Sequence, residues 1–285
     1  MCKREVVSWF MPWLNLLCLL ELNVHLWTVD RFFAQCERIR ASFAQVAQLD
    51  AAIALASALA MYPRHCTPEL ADTLQLEIED GRHPLLTEGV PNSVDLDGRG
   101  LLVTGSNMAG KTTFVKMLAI NAILGRTAGF CLATRAVLPR LPVMAAIQGE
   151  QSVASGKSLY FAQIEAIRGF LAAGAGGGLI VLDEPFSGTN TAERIAIAAA
   201  VLRALGEHSL VLVTTHDVEL QALLQGRYAL CHFEENPDAD GWLDYRLRPG
   251  PAIARNAIRL LERVGFPPQV VADAMACAGQ GVRAQ

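Results

Sequence analysis

The stretch Leu101-Leu102-Val103-Thr104-Gly105-Ser106-Asn107-Met108-Ala109-Gly110-Lys111-Thr112-Thr113 decides the fold. An apolar run, Leu101 to Val103, leads into Gly-x-x-x-x-Gly-Lys-Thr. Phe114, Val115, Met117, Leu118 and Ile120 then recur at helical spacing. Strand, glycine-rich loop and helix, in that order, are the context of a phosphate-binding loop. Gly105 and Gly110 admit backbone angles closed to residues with a Cβ, so the chain can approach a phosphate. The N–H groups from Ser106 to Thr113, at the start of a helix, offer partial positive charge to an anion. Lys111 adds a full charge toward the β- and γ-phosphates, and the Thr112 hydroxyl suits Mg²⁺, a hard cation. The loop implies a nucleoside triphosphate and Mg²⁺, and leaves open what is done with them.

Three further apolar runs follow: Leu179 to Leu182, Leu210 to Val213 and Tyr228 to Phe233, with helical patterns between them, notably Thr191 to Leu205. This alternation predicts an α/β fold whose mostly parallel sheet is flanked by helices. The acidic turn Glu234 to Gly241, followed by Trp242 to Leu247, predicts a terminal hairpin. The first run delivers Asp183-Glu184. Asp183 is placed to hold Mg²⁺ directly or through water, and Glu184 to act as general base on an attacking water. The second run ends Thr214-Thr215-His216-Asp217, which puts His216 where it can contact a γ-phosphate or orient water.

The 285 residues are 52% hydrophobic and 18% charged, with a net charge of −4, so no overall basic field points to nucleic acid. Seven cysteines are scattered without a CxxC pair. They are expected to be reduced, mostly buried thiols of a cytoplasmic protein rather than metal ligands. Val6 to Val29 is rich in Trp, Leu and Val, but Asn15, Glu21, Asn23 and His25 interrupt it. A buried or amphipathic helix is expected there in preference to a membrane span. The helical pattern continues from Trp27 to Met61 and stops at Pro63 and Pro68. A polar, acidic stretch, Asp72 to Asp80, precedes Gly81-Arg82-His83-Pro84. The expected organisation is a helical segment over 1–80, a nucleotide-binding domain over 81–250 and a C-terminal helical segment over 251–285.

At this point the motifs resemble those of the MutS family. Gly105-Ser106-Asn107-Met108-Ala109-Gly110-Lys111-Thr112-Thr113 resembles that family's P-loop, usually GPNMGGKST, of which the Asn-Met pair is the distinguishing part. Leu182-Asp183-Glu184-Pro185-Phe186-Ser187-Gly188-Thr189 is similar to its Walker B segment, LDE-x-x-x-GT. Thr215-His216-Asp217-Val218-Glu219-Leu220 matches TH-x-x-EL. Ser155-Gly156-Lys157-Ser158, downstream of Glu150-Gln151, resembles the SG-x-S signature. Arg82-His83-Pro84 with Val90-Pro91-Asn92 resembles the segment leading to the adenine site.

The resemblance covers residues 81–275 and implies an ABC-type P-loop ATPase, using ATP and Mg²⁺ and working as a homodimer on DNA. The implied setting is mismatch repair or related DNA maintenance, with other repair proteins as partners. In that family each nucleotide lies between the P-loop of one subunit and the signature of the other. Ser155, Gly156 and Ser158 would therefore act in trans, with Ser158 near a helix start meeting the partner's γ-phosphate; taken alone, these residues read as an ordinary helix cap. His83 and Asn92 are implied to lie near the nucleotide, and Asn107 to contact phosphates or position water. Gly265-Phe266-Pro267, after the helical 253–264, resembles the family's C-terminal helix-turn-helix, which supports dimerisation.

Departures are also present. Ala109 stands at a usual glycine, although that position is free in the general P-loop pattern. Leu159-Tyr160-Phe161 stands where Thr-Phe is usual, and Gln163 or Glu165 serves for the acidic residue that follows. The adenine segment lacks the aromatic residue commonly found beside it. Residues 1–80 are too few for a DNA clamp with a mismatch-reading domain, so either a truncated chain or a short branch lacking mismatch recognition is expected. DNA binding is implied by kinship alone, since no basic stripe with interleaved aromatics supports it. The alternative is another ABC-type ATPase, linked to a transporter or membrane through the apolar N-terminus. The missing LSGGQ wording and the upstream place of SG-x-S weigh against it. A nucleotide-binding scaffold with weak turnover is disfavoured by intact Lys111, Asp183, Glu184 and His216.

Overall fold

The computed structural model describes residues 13, 16, 19–147, 159–172, 177–235, 243–252, 261 and 264–281. The chain forms two compact units that part between Pro63 and Arg64. The first contains helix α1, Leu20–Met61. Leu22, Val24, Leu26 and Trp27, within the stretch where a buried or amphipathic helix is expected, are exposed, as are Phe32, Phe33, Phe43 and Ile53 further along it. Arg31 lies 4.4 Å over the Trp27 ring, and Glu37 pairs with Arg40 one turn on. By length and composition alone α1 is long and apolar enough to cross a membrane.

The second unit is built on two sheets. The larger has six strands: β4 (Gly100–Thr104), β6 (Val143–Ala146), β7 (Leu179–Asp183), β8 (Leu210–Thr215), β9 (Tyr228–Glu235) and β10 (Leu243–Pro249). Their spatial order is β10-β9-β4-β8-β7-β6, parallel except for β10, which turns back against β9 as a hairpin. The smaller has the order β1-β5-β2-β3, from β1 (Glu69–Ala71), β2 (Gln75–Gly81), β3 (Asn92–Asp97) and β5 (Arg135–Pro139).

Alternation along the central strands explains the layering. Leu101, Val103, Val181 and Leu212 face one side. There they pack with Phe114, Val115 and Leu118 of helix α2 (Lys111–Thr127) and with Leu76, Ile78, Leu96 and Leu138 of the smaller sheet. Leu102, Ile180, Leu182, Val211 and Val213 face the other side. They meet Ile167 of helix α3 (Leu159–Ala172) and Ala198, Leu202 and Leu205 of helix α4 (Thr191–Leu205). Helix α2 is thus held between two sheets, close enough that a Cβ on Gly125 would lie 2.3 Å from the Leu138 side chain. The described residues of the unit also include helices α5 (Glu219–Leu224) and α6 (Pro268–Gly281), the latter burying Val271.

The smaller sheet and β6 were not among the expected strands. The stretch from Asp72 to Asp80 is mostly β2: Leu76 and Ile78 are fully buried, while Glu77 on the opposite face pairs with Arg135 across the strands. A boundary near residue 80 therefore falls at the end of a strand of the second unit. The helical pattern expected over 253–264 lies mostly outside the described residues.

Candidate nucleotide site

Three parallel strands, β4, β8 and β7, lie side by side and end together, with Thr104 opposite Thr215 and Asp183 opposite Thr214. Ligands of open parallel sheets bind beyond such carboxyl ends, where each strand hands over to a loop. Beyond β4, Gly105 has φ +136°, and a Cβ there would sit 2.7 Å from the Phe233 carbonyl oxygen. Gly110 has φ +94° and opens α2 as its N-cap. Both positions therefore demand glycine for conformational reasons. Between them Asn107–Ala109 forms a single 3₁₀ turn.

The side chain of Lys111 is buried to 1% exposure and turned back on the loop. Its Nζ donates to the carbonyls of Gly105 (2.7 Å) and Ser106 (3.0 Å), and lies 3.4 Å from His216 Nδ1 and 3.5 Å from Glu184 Oε1. His216 Nε2 is 2.5 Å from the same carboxylate oxygen. An ammonium only donates, so the Lys111 contact suits the His216 tautomer with its lone pair on Nδ1, which leaves the Nε2 proton for Glu184. Burial lowers the Lys111 pKa, partly offset by Glu184 and Asp183. Burial pushes the Glu184 carboxyl up, but the hydrogen bond from His216 and the charge of Lys111 outweigh it and hold the carboxyl below its usual range. The carboxylate is thus ionised at neutral pH, as a base must be.

Beside this triad, Thr112 Oγ1 donates to Asp183 Oδ1 at 2.8 Å, and Thr214 Oγ1 donates to the same oxygen at 2.5 Å. A hydroxyl and a carboxylate side by side are hard oxygen ligands suited to Mg²⁺. Among the described residues no group of three His, Cys, Asp or Glu side chains could hold a metal by itself. Ser106 Oγ is buried without a hydrogen-bond partner, an orphaned donor at the same loop.

The loop bearing His216 is fixed from behind. Arg194 of α4 grips Asp217 with two hydrogen bonds of 2.7 and 2.6 Å, and the Asp217 N–H donates to Thr215 Oγ1. Asn190 caps α4 by accepting from the Glu193 N–H at 3.0 Å.

A cavity of about 650 Å³ opens beside the glycine loop, lined among others by His83, Val90, Asn92, Met108, Phe114 and Tyr245. Its size suits a nucleoside-sized ligand. His83 Nδ1 accepts from the Leu85 N–H, and burial, then the charge of Lys116, lowers its pKa. Asn92 lines the cavity, but its amide is engaged by the hairpin backbone. It donates to the Tyr245 carbonyl at 2.9 Å and accepts from the Leu247 N–H at 2.7 Å. Held this way, Tyr245 takes φ +52° and brings its ring to within 3.3 Å of a Cβ built on Gly110. Tyr245 is the residue that sequence reasoning missed. The aromatic usual in the family is missing beside residues 90–92, and Tyr245 lines the cavity from β10, more than 150 residues away in sequence. The only signal was an aromatic within the predicted terminal hairpin.

Of the sequence-predicted residues, the structure brings together Gly105, Ser106, Ala109, Gly110, Lys111, Thr112, Asp183, Glu184 and His216. Met108, Thr113, His83 and Asn92 line the adjoining cavity. Ser155, Gly156 and Ser158 lie outside the described residues.

A model of MutS domain V matches residues 101–280. The chain belongs to the MutS family. It is 34% identical over 262 residues to the DNA mismatch repair protein MutS of Thermus aquaticus, an alignment covering 90% of this chain and 32% of that protein. It is 35% identical over 252 residues to the MutS of Natronomonas pharaonis, covering 84% and 29%. A MutS of Chloroflexus aurantiacus is 31% identical over 273 residues, covering 90% and 28%. The MutS-family chain thus spans about a third of the length of the relatives it matches.

Proposed function

We propose that this chain is a Mg²⁺-dependent ATPase of the MutS type, whose nucleotide cycle opens and closes a homodimer acting on DNA. The observation that carries the reading is the convergence of Lys111, Glu184 and His216 within 3.5 Å, next to the Thr112–Asp183 pair, at the carboxyl ends of three parallel strands. The phosphate-binding loop receives the triphosphate on its backbone N–H groups, and Lys111 leaves its two loop carbonyls to meet the β- and γ-phosphates. Thr112 and Asp183 would hold Mg²⁺, which neutralises charge developing on the phosphate oxygens. Glu184 accepts the proton of the attacking water, and His216 Nε2–H fixes the carboxylate oxygen that does so. The base enters the cavity against Tyr245, over Met108.

The relatives named above are mismatch repair proteins, and this supports DNA as partner and mismatch repair or related DNA maintenance as setting. The membrane-linked alternative draws on nothing beyond the length and apolarity of α1. The test is Glu184→Gln. The variant should bind ATP, lose turnover by roughly a hundredfold or more, and accumulate as an ATP-bound dimer in light scattering. Wild-type turnover in E184Q would remove Glu184 as base. Association with duplex DNA should depend on nucleotide and weaken with salt; duplex binding indifferent to nucleotide would remove the coupling.

A further inference from the structure

The turn after β7 has backbone geometry that needs an external cause. Glu184 has φ +47° and Phe186 has φ +64°. Neither is glycine, and residues with a Cβ hold such angles only where their surroundings impose them. On one side β8 supplies the constraint: the Glu184 N–H donates to the Thr214 carbonyl at 3.1 Å. On the other side the constraint is a single side chain of α3. Gln163 Oε1 accepts from the Phe186 N–H at 3.0 Å, and Gln163 Nε2 donates to the Asp183 carbonyl at 3.4 Å. The amide orientation is unambiguous, because an N–H only donates and a carbonyl only accepts. One side chain therefore spans the turn from the residue before Glu184 to the residue two after it.

Helix α3 is seated on the same turn a second time. Tyr160, one helical turn before Gln163, packs against Gly188, where a Cβ would lie 2.7 Å from the ring. Phe186, whose N–H Gln163 holds, is buried at 3% exposure. Gln163 touches neither the glycine loop nor Lys111 in any of these contacts.

We infer that Gln163 is a positioning residue for the catalytic carboxylate: its amide clamps the left-handed Glu184–Phe186 turn and thereby aims Glu184 at the attacking water. Both ends of the amide are needed. Glutamate at this position keeps the acceptor for Phe186 but loses the donor, and sets a carboxylate against the Asp183 carbonyl. Leucine loses both. This inference rests on the reading of Glu184 as general base.

The experiment compares Gln163→Leu, Gln163→Glu and Glu184→Gln in steady-state ATP hydrolysis, nucleotide binding and single-turnover assays. For Q163L, kcat should fall by roughly ten- to a hundredfold, the loss that a misaimed reacting group produces, with KM and nucleotide affinity unchanged. Q163E, which retains one of the two hydrogen bonds, should fall between Q163L and wild type. In the E184Q background Q163L should change the residual single-turnover rate by less than about twofold, because two residues acting through one carboxylate are not additive. Wild-type kcat in Q163L, an equal loss in affinity and kcat, or an additive loss in the E184Q background would each overturn the inference while E184Q remains inactive. Turnover persisting in E184Q itself would instead overturn the reading of the base. Should Q163L not fold, Q163E supplies the same kcat-against-KM comparison.

Discussion

The two ends of the candidate site are made differently. The phosphate end is assembled from short local segments: a loop of six residues between β4 and α2, and the first residues beyond β7 and β8. The base end is a composite of the turn around His83, the face of α2 and a tyrosine from a distant hairpin. At the phosphate end the backbone is fixed by glycine conformations and by a lysine buried at 1% exposure. At the base end the decisive ring is held by one asparagine amide bridging the two parts of the chain. On the proposed reading, charge and backbone donors would set affinity where the chain is locally determined, and shape and stacking would add to it where the chain is assembled at long range.

The comparison breaks most sharply at Lys111. Lys111→Ala should lower ATP affinity by about a hundredfold or more, since it removes the charge-assisted contacts to the phosphates, and isothermal titration measures this. Undiminished affinity would mean that the base end dominates. Tyr245→Ala should cost roughly tenfold in ATP affinity, consistent with about 1–3 kcal/mol for a base stacked on an aromatic. Inorganic triphosphate should bind the variant as it binds wild type. Equal losses for ATP and triphosphate would show that Tyr245 supports the glycine loop rather than a base. Asn92→Ala should reproduce part of the Tyr245 effect, a few-fold in affinity, together with about 1 kcal/mol of stability from the lost hydrogen bonds. Affinity unchanged in a destabilised N92A would separate the hairpin from the base pocket.

The smallest effect concerns pH at the base end. Burial and Lys116 lower the His83 pKa, so the folded state disfavours the charged ring. Its folded midpoint lies below the unfolded value near ~6.5. Stability from this group is therefore lost as pH falls through the unfolded value toward the folded one, and the loss is complete below both. NMR titration of the His83 ring should place its midpoint below that of free histidine; a midpoint at or above it would contradict the buried setting.

How much was legible follows the same division. Gly105, Gly110, Lys111 and Thr112 are tied by spacing, and Asp183-Glu184 and His216 by their place at the ends of apolar runs, so periodicity and motif order sufficed. The smaller sheet was not anticipated, because β2 carries Glu77, Glu79 and Asp80 on its outer face and resembles an acidic linker. Its period-two signal, Leu76 and Ile78 against Glu77 and Glu79, was present but short. Gln163 stood as one of two alternatives for an acidic position, and only the fold brings it across the turn at Phe186. Tyr245 could not be assigned, since nothing local to the hairpin says which strand edge it will face.

By itself the sequence determined the chemistry and the order of the parallel strands' cargo. Glycine, lysine, threonine and two carboxylates bring backbone freedom, charge and hardness as properties of the residue types themselves, which burial and neighbours then tune. Only the tertiary structure decided how those groups are aimed. The left-handed turn at Glu184, the clamp of Gln163 and the placement of Tyr245 by Asn92 all depend on hydrogen bonds between residues far apart in the chain. Such bonds join elements that burial of the two core faces holds against one another.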